Sequence, residues 1–360
     1  MENWLMINAI SVFTIAFALS SICVPLVIKL AIKKRLLGEY GEGRHVHKGF
    51  VPRLGGVAIY IGFFLSQIYF IISHQGAGHL SQAYLLLIFS STLLFFMGVL
   101  DDLLDINANL KFFIQLIVGL ILVWQADIRI VSFYGLFGVQ TLPIWFSYSF
   151  SIAVIAFFIN AYNLIDGIDS LSSSIGMYVL FCFGCIFLYN NSYLDSIITF
   201  AVFGALLGFW LYNKPPAKIF MGDSGTLSIG LMIAYFAIRT SNLPIDNQDT
   251  YSPVFAMIVL VYPVIDTLRV FTKRIMKGVS PFTPDRNHIH HLLLDLGYSH
   301  GKATLIIVLF SMILSIVAYL LKAVPTIAFF VTVSLTFLVS FIPGMLIKKR
   351  GLNNTNTFSR

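Results

Sequence analysis

Long apolar runs separated by short polar segments make up most of the chain. A run of about 17 to 25 apolar residues has the length of a helix that spans a membrane. On this criterion we predict eleven spans, at residues 6–29, 54–73, 81–100, 111–128, 145–163, 171–189, 196–212, 225–241, 252–271, 303–321 and 325–347. The pattern predicts an all-α polytopic membrane protein, with one membrane-embedded domain over residues 1–347 and a short basic tail over 348–360.

The distribution of lysine and arginine predicts how these spans are oriented. Basic residues accumulate in the short loops on the cytoplasmic side of a membrane. If the N-terminus is outside, every Lys and Arg except Arg129, Arg239 and Lys322 falls on the cytoplasmic side. The same parity predicts a cytoplasmic C-terminus and puts the most polar loops on the cytoplasmic face.

Composition agrees with a membrane protein and excludes other classes. Hydrophobic residues make up 58% of the chain and charged residues 11%, which is outside the range of soluble globular domains. The net charge is +7, but the lysines and arginines lie beside apolar runs rather than in long basic tracts, so we expect no nucleic-acid partner. The pair Cys182 and Cys185 could indicate redox or metal chemistry, but both lie in a predicted span, where small buried residues are the simpler interpretation.

Carboxylates mark the predicted cytoplasmic end of the third span. Asp101, Asp102 and Asp105 lie close together, and helical spacing puts Asp101 and Asp105 on one face. Ionisable groups at a membrane boundary are costly, and adjacent carboxylates repel each other unless a cation or protons intervene. We therefore favour a catalytic or metal-binding role over a solvated helix end.

A second polar strip follows the fifth span, because Asn160, Asn163, Asp166 and Asp169 recur at every third residue. This spacing would line them along one side of a helix end, where they could hold a hydrated metal or a nucleotide. The alternative is ordinary helix termination, with Asp169 or Ser170 capping the next span.

The segment 221–225 places Asp223 between two glycines just before the eighth span. Taken alone, Asp223 would be interpreted as the N-cap of that span. Together with the other carboxylates on the same predicted side, it is better explained as a ligand of Mg²⁺, which uses one or two carboxylates plus substrate phosphates. Mn²⁺ could substitute for Mg²⁺ at oxygen ligands of this kind.

The long predicted loop over residues 272–302 carries Arg274, Arg286, His288, His290 and His291. Clustered histidines can indicate Zn²⁺, but no thiolate lies near, so we favour hydrogen bonding to an anion or a sugar. A basic patch on the cytoplasmic side would explain the arginines but not the histidines. Asp266, near the inner end of the ninth span, is explained by an ion pair with Arg269 and is a minor site candidate.

The motifs DDLLD (101–105), NLIDGIDSL (163–171), MGDSG (221–225) and SPFTPDRNHIHHL (280–292) together resemble the polyprenyl-phosphate N-acetylhexosamine-1-phosphate transferases. The segment RHVHKGFVPRLGG (44–56) is similar to that family's first cytoplasmic loop, and the resemblance extends over most of the chain. The PDRNHIHH stretch resembles the branch that transfers N-acetylglucosamine 1-phosphate for O-antigen, enterobacterial common antigen or teichoic-acid linkage units. One departure is Ser170, where the family usually has Gly.

The resemblance implies an enzyme of the bacterial plasma membrane whose active site faces the cytoplasm. It would transfer the sugar 1-phosphate of UDP-N-acetylglucosamine, or of a related UDP-amino sugar, to undecaprenyl phosphate and release UMP. The resemblance assigns Mg²⁺ as cofactor, and catalytic or metal-binding work to Asp101, Asp102, Asp166, Asp169 and Asp223. It places the three histidines near the sugar phosphate, and candidates for binding the lipid phosphate are Lys48, Arg53, Arg274 and Arg286.

Several alternatives stay open at this level. The lipid phosphate could attack in a single in-line displacement, or Asp101 or Asp102 could attack first in a covalent route. A cation or organic-anion transporter would also keep costly carboxylates, although transporter sites tend to lie near mid-membrane between repeats, and no repeat is apparent here. The sequence also leaves open the exact amino sugar, the downstream glycan and a homodimer.

Overall fold

The structure is a computed structural model that describes residues 2–34, 51–73, 80–133, 135–243, 253–280, 285–321 and 324–351. Helices account for most of this part of the chain, and its only extended pairing is an isolated antiparallel bridge between Ser132 and Thr141. The predicted all-α class is therefore confirmed.

Thirteen α-helices follow one another along the described chain. They are α1 (Glu2–Lys34), α2 (Gly55–Ser73), α3 (Gln82–Leu104), α4 (Ala108–Gln125), α5 (Ile144–Leu164), α6 (Leu171–Tyr189), α7 (Tyr193–Asn213), α8 (Gly222–Ser241), α9 (Pro253–Val259), α10 (Val261–Met276), α11 (Ile289–Asp295), α12 (His300–Leu320) and α13 (Pro325–Lys349).

Nine of the described helices are long and apolar enough to cross a membrane, namely α1 to α7, α12 and α13. The predicted eighth span corresponds to α8, which lacks the hydropathy of a lipid-facing helix. Almost every residue of α8 is buried, because α2, α3, α5, α6 and α9 pack around it. A helix screened from lipid in this way has no need of a fully apolar surface.

The predicted ninth span, residues 252–271, is two helices rather than one. The break falls at Leu260, between α9 and α10. Pro263 has no N–H to donate to the carbonyl of Val259, four residues earlier, so the α-helical ladder is interrupted at this point. The prediction of a continuous span is wrong there for this reason.

Small residues let the central helix α8 approach its neighbours closely. A Cβ on Gly56 of α2 would lie 2.0 Å from the backbone nitrogen of Gly225. A Cβ on Gly98 of α3 would lie 2.4 Å from the backbone nitrogen of Ser224. Close approach of this kind is typical of helix packing in membranes. It brings the polar ends of α3 and α8 into contact.

The connector between α4 and α5, residues 126–143, folds back on itself next to the first residue of α5, Ile144. Phe133 N donates to Gln140 O at 3.0 Å, and Leu142 N donates to Val131 O at 3.0 Å. We call residues 126–143, of which the structure describes all but 134, the strap.

Candidate functional site

The last turn of α3 and the first turn of α8 are joined through the Asp102 carboxylate. Its Oδ1 accepts from Asp223 N at 2.8 Å and its Oδ2 accepts from Ser224 N at 3.0 Å. The first backbone N–H groups of a helix lack intrahelical partners and favour a negative charge. Asp102 therefore caps α8 from a different helix, and the interpretation of Asp223 as the cap is wrong, because Asp223 lies inside the first turn.

An ammonium group links two of the predicted carboxylates. Lys111 Nζ, in the first turn of α4, lies 2.9 Å from Asp101 Oδ2 and 3.1 Å from Asp223 Oδ2. The backbone N–H of Ile106 also donates to Asp101, at 2.8 Å. Two carboxylate oxygens, from α3 and α8, thus converge on one cation.

Asn163 and Asp166 reach the same place from the end of α5. Asn163 Nδ2 donates to Asp223 Oδ2 at 3.4 Å. Burial raises the pKa of Asp166 to about 6, and a hydrogen bond from Ser172 opposes the rise. The negative charge of Asp223 also raises the Asp166 pKa, while the N–H of Gly222 and the charge of Arg53 lower it. We call Asp101, Asp102, Lys111, Asn163, Asp166 and Asp223 the acidic junction.

Asp105 and Asn160 are among the predicted site residues that lie apart from the acidic junction. Asp105 leaves the helix in a left-handed conformation, with φ 50°, and is exposed, so it does not share a face with Asp101. Asn160 donates to Gln115 Oε1 on α4 at 2.5 Å and to the carbonyl of Ala156 in its own helix at 2.8 Å. The expected strip of four polar residues along one helix does not form, because α5 ends at Leu164.

Asp169 is bound into the turn before α6. Its Oδ2 accepts from Ala217 N at 3.2 Å, and its Oδ1 lies 3.2 Å from His300 Nδ1 at the start of α12. Thr304 Oγ1 donates to the Asp169 carbonyl at 3.2 Å. Asp169 therefore holds together the turn before α6, the segment before α8, and α12. Ser170 occupies the N-cap position of α6 with φ 63° and makes no side-chain cap, so neither residue caps α6.

Asn213, the last residue of α7, ties the same two segments together. Its Oδ1 accepts from Ser170 N at 3.1 Å and from Ser173 Oγ at 2.8 Å. Its Nδ2 donates to the carbonyl of Ile219 at 2.9 Å, and the side chain is almost fully buried. The segment that leads into Asp223 is thus anchored to the turn that carries Asp166.

Asp266 forms the expected ion pair with Arg269 and also binds residues 285–291, which carry His288, His290 and His291 and which we call the histidine loop. Asp266 Oδ1 accepts from Arg269 Nη2 at 2.9 Å and from Ile289 N at 3.0 Å. Its Oδ2 lies 2.8 Å from His288 Nδ1. Asp266 is fully buried, so the hydrogen-bonded partners compensate the loss of hydration. His288 occupies the N-cap position of α11, directly before the helix.

His290 brings the histidine loop against the turn that carries Asp166. The space where Gly167 would bear a Cβ lies 2.3 Å from His290 Nε2, so only glycine permits this contact. His290 Nδ1 is 3.3 Å from the Tyr262 hydroxyl, and Nε2 has no hydrogen-bond partner among the described residues. Burial lowers the pKa of His290 well below its ordinary value, and the neighbouring His291, 4.3 Å away between ring centroids, acts in the same direction.

The remaining basic candidates are Arg274, Arg286, Arg53 and Lys48. Arg274 Nε donates to Asp285 Oδ2 at 3.1 Å, and Arg286 Nη2 donates to Asp295 Oδ1 at 3.4 Å. Arg53 is exposed and acts electrostatically on Asp166. Lys48 lies outside the described residues.

The donor set of the acidic junction suits a hard cation that is shared with a substrate. In the described part of the chain, no three His, Cys, Asp or Glu side chains come together as metal ligands. Asp101 and Asp223, however, already direct one oxygen each at the same ammonium. Mg²⁺ typically takes one or two carboxylates and completes its shell with phosphates and water. Both Asp102 oxygens already accept from the backbone of α8.

Three residues of the site region have no role in the sequence predictions. Lys111 counts there only as a cytoplasmic charge, and Asn213 and His300 are not singled out. A lysine in the first turn of an apolar span is a usable signal, because such a charge needs a partner. Asn213 and His300 have no comparable signal, since the contacts that join Asn213 to Ser173 and His300 to Asp169 span 40 and 131 residues of the chain.

Comparison with known proteins places these motifs in a family context. The family model for glycosyl transferase family 4 matches residues 84–241. The chain is 31% identical over 321 residues to a probable undecaprenyl-phosphate N-acetylglucosaminyl 1-phosphate transferase of Bacillus subtilis, covering 88% of this chain and 86% of the relative. It is 28% identical to undecaprenyl-phosphate alpha-N-acetylglucosaminyl 1-phosphate transferases of Yersinia pestis and Escherichia coli K12, covering 89% and 88% of this chain and 86% and 85% of the relatives.

Proposed function

The chain belongs to glycosyl transferase family 4, and we propose that it transfers N-acetylglucosamine 1-phosphate from its UDP derivative to undecaprenyl phosphate. The products would be UMP and a polyprenyl diphosphate that carries the sugar. The relatives are named for this transfer and match the chain over most of its length. Another UDP-amino sugar with the same chemistry is the nearest alternative donor.

The observation that carries the proposal is the convergence of Asp101 and Asp223 on one cation beside Asn163 and Asp166. Transfer of a phosphoryl group requires positioning and neutralisation of phosphate charge more than covalent chemistry by the protein. An arrangement of carboxylates and one ammonium at the ends of packed helices supports this kind of reaction.

We propose that Asp101 and Asp223 hold Mg²⁺ or Mn²⁺ together with the donor diphosphate. The metal would neutralise the diphosphate charge and stabilise the departing UMP. Lys111 would then be free to contact a phosphate oxygen, because the metal would occupy the carboxylate oxygens that it now contacts. Asp102 would act as a positioning residue, since it holds the first turn of α8 through Asp223 N and Ser224 N.

The same contacts favour a single displacement by the lipid phosphate over a covalent route. Asp102 accepts hydrogen bonds on both oxygens, and Asp101 is held by Lys111 and Ile106 N, so neither carboxylate is oriented as a free nucleophile. A phosphate monoester with a second pKa of about 6 is largely dianionic at neutral pH and needs little help from a base. Trapping of a phosphosugar-enzyme intermediate would contradict this proposal.

The histidine loop is proposed to contact the sugar phosphate. His290 Nε2 lies against Gly167, one residue from Asp166, and has no partner among the described residues. A buried imidazole with a lowered pKa is neutral, and its Nε2 can either donate a hydrogen bond to a sugar hydroxyl or accept one from it, depending on the tautomer. His288, His291, Arg274 and Arg286 would support the same loop, and Arg53 and Lys48 would attract the lipid phosphate.

An apolar pocket supports the proposed lipid acceptor. The pocket has a volume of about 460 Å³ and lies between α5, α8, α9, α10 and the strap. Phe157 on α5 and Leu268 on α10 belong to its lining. Phe157 is about two turns before Asn163, and Leu268 is two residues after Asp266. An isoprenoid chain whose phosphate lies at the acidic junction could enter this pocket.

We further propose eleven spans, with α9 and α10 together forming the ninth, an outside N-terminus and an active site that faces the cytoplasm of the bacterial plasma membrane. In this orientation every Lys and Arg except Arg129, Arg239 and Lys322 lies on the cytoplasmic side, and this distribution supports the proposal. The product would initiate a cell-surface glycan such as O-antigen, common antigen or a teichoic-acid linkage unit. A homodimer can be tested by light scattering on the purified protein.

The test is an assay of the purified protein with undecaprenyl phosphate and UDP-N-acetylglucosamine, with and without Mg²⁺. We expect metal-dependent release of UMP in step with transfer of labelled sugar to lipid. Asp223→Asn should abolish both while the protein stays folded, because Asp223 contributes an oxygen to the proposed metal site. A folded protein that yields no product from any UDP-amino sugar would restore the transporter hypothesis.

A further inference from the structure

The strap is fixed at one end to α5 and α8. Ser147 Oγ donates to Ile130 O at 2.5 Å, and Ile130 N donates to Ser151 Oγ at 2.8 Å. Asn242 Nδ2, at the end of α8, donates to Arg129 O at 2.6 Å. These bonds hold the first part of the strap against the start of α5.

The turn in the middle of the strap, Leu136–Gly138, reaches across to α13. The Phe137 ring packs edge-on against Phe329 and Phe330, with centroid distances of 5.4 and 5.9 Å. Leu136 is buried in a hydrophobic cluster with residues of α9, α10, α12 and α13. The strap therefore bridges α5 and α8 on one side and α9, α10, α12 and α13 on the other, and the apolar pocket lies between these two groups of helices.

The strap also forms one wall of that pocket. Ile130, Phe133, Leu136 and Phe137 all line it, and Phe133 packs against Phe150 of α5 at a centroid distance of 5.7 Å. The strap adjoins the first residue of α5, whereas Asn163 lies at the last turn. A helix of this length spans about 30 Å, so the strap is roughly that far from the acidic junction.

We propose that the strap determines specificity for the length of the acceptor's isoprenoid chain, by contacting units that only a long chain can bring to it. This inference rests on the proposed function. At roughly 1.2 Å per bond of an extended chain, a ten-carbon geranyl chain reaches about 10 Å from its phosphate, and a 55-carbon undecaprenyl chain reaches about 50 Å. With the phosphate at the acidic junction, only the longer chain reaches Phe133 and Phe137.

The experiment compares geranyl phosphate and undecaprenyl phosphate as acceptors in the same detergent micelles. Phe133→Ala and Phe137→Ala should each raise the KM for undecaprenyl phosphate roughly tenfold, the scale of a lost apolar contact in a pocket. The KM for geranyl phosphate and the KM for the UDP-sugar should not change. Each acceptor is compared between variants, so differences in how the two lipids partition into micelles cancel.

Phe181→Ala is the matched control. Phe181 is an aromatic residue of α6 that is 52% exposed, close to the 59% of Phe137, and it does not line the pocket. Ala153→Phe tests the same inference without removing a contact, because it adds bulk to the lining. It should raise the KM for undecaprenyl phosphate and leave the KM for geranyl phosphate unchanged. If a strap variant does not fold, this result tests whether the pocket binds the distal part of the long chain.

The results separate this inference from the proposed function. An unchanged KM for undecaprenyl phosphate in the folded pocket variants, or an equal rise for both acceptors, would overturn the role of the strap. Absence of transfer to either acceptor by the native protein would instead overturn the proposed function.

Discussion

Gly98 offers a direct way to displace the acidic junction without altering any of its side chains. A Cβ at Gly98 would lie 2.4 Å from Asp223 O and from Ser224 N, both in the first turn of α8. Ordinary van der Waals contact begins near 3.4 Å. The substitution Gly98→Ala therefore requires α3 and α8 to separate by about 1 Å.

The expected effect on activity is larger than the effect on stability. Overpacking of this kind costs about 1–3 kcal/mol, which a bundle of this size tolerates. Asp102 lies about one turn from Gly98 and holds Asp223 N and Ser224 N, so the separation acts on the bonds that align the two helices. A displacement of about 1 Å at a catalytic site can reduce the rate by roughly 100-fold. We expect a fall in kcat of that order.

The assay is UMP release at saturating substrates, together with thermal unfolding of the purified protein. Gly119→Ala is the matched control, because a Cβ at Gly119 of α4 meets its nearest neighbour, Ile152 Cγ2, at 3.4 Å. The control should keep nearly native activity and stability. If Gly98→Ala is as active as Gly119→Ala, the reasoning that close packing of α3 and α8 aligns the acidic junction is refuted.

Three further changes test individual groups. Lys111→Met should lower the free energy of unfolding by roughly 1–3 kcal/mol without metal, because two carboxylates lose their shared counter-ion; added Mg²⁺ should recover the loss, and no recovery would count against the metal site. Asp266→Asn should lower the free energy of unfolding by about 3–5 kcal/mol, since the buried Arg269 loses the negative charge that it pairs with. A loss of less than about 1 kcal/mol, measured by thermal unfolding, would contradict this expectation. Asp166→Asn, measured with a chelator, should stabilise the protein by about 3 kcal/mol at pH 7 and by little at pH 4. Because the carboxyl pKa is about 6 in the folded protein and about 4 in the unfolded chain, the native aspartate loses stability as the pH rises from about 4 to 6, and the loss stays constant above that range. An Asp166→Asn stabilisation that does not grow with pH would argue against burial as the cause.

Most helices of the described fold follow from the apolar runs. The bounds of α2, α5, α6 and α13 agree with the predicted spans to within two residues. The two departures have local causes that only the packed structure makes evident. Pro263 divides the ninth span, and α8 is surrounded by other helices and so can be rich in glycine and serine.

The candidate site was only partly predictable. The sequence indicated Asp101, Asp102, Asn163, Asp166 and Asp223, because acidic groups next to membrane spans are energetically costly and are therefore expected to be functional. It also indicated Asp105 and Asn160, which helical spacing alone does not distinguish from the others. Asp105 leaves the helix and Asn160 pairs with Gln115 on a neighbouring helix, and neither outcome can be read from local spacing.

The sequence by itself determined that this is a helical membrane protein with polar motifs at the ends of its spans, because run length and residue type act locally. Only the tertiary structure decided which of those polar groups meet. Asp102 caps a helix that begins 120 residues later in the chain, and Lys111 meets Asp223 across 112 residues. The close approach of α3 and α8 at Gly98 and the packing of His290 on Gly167 bring these groups together. Helix packing sets such distances, and no local pattern in the chain encodes them.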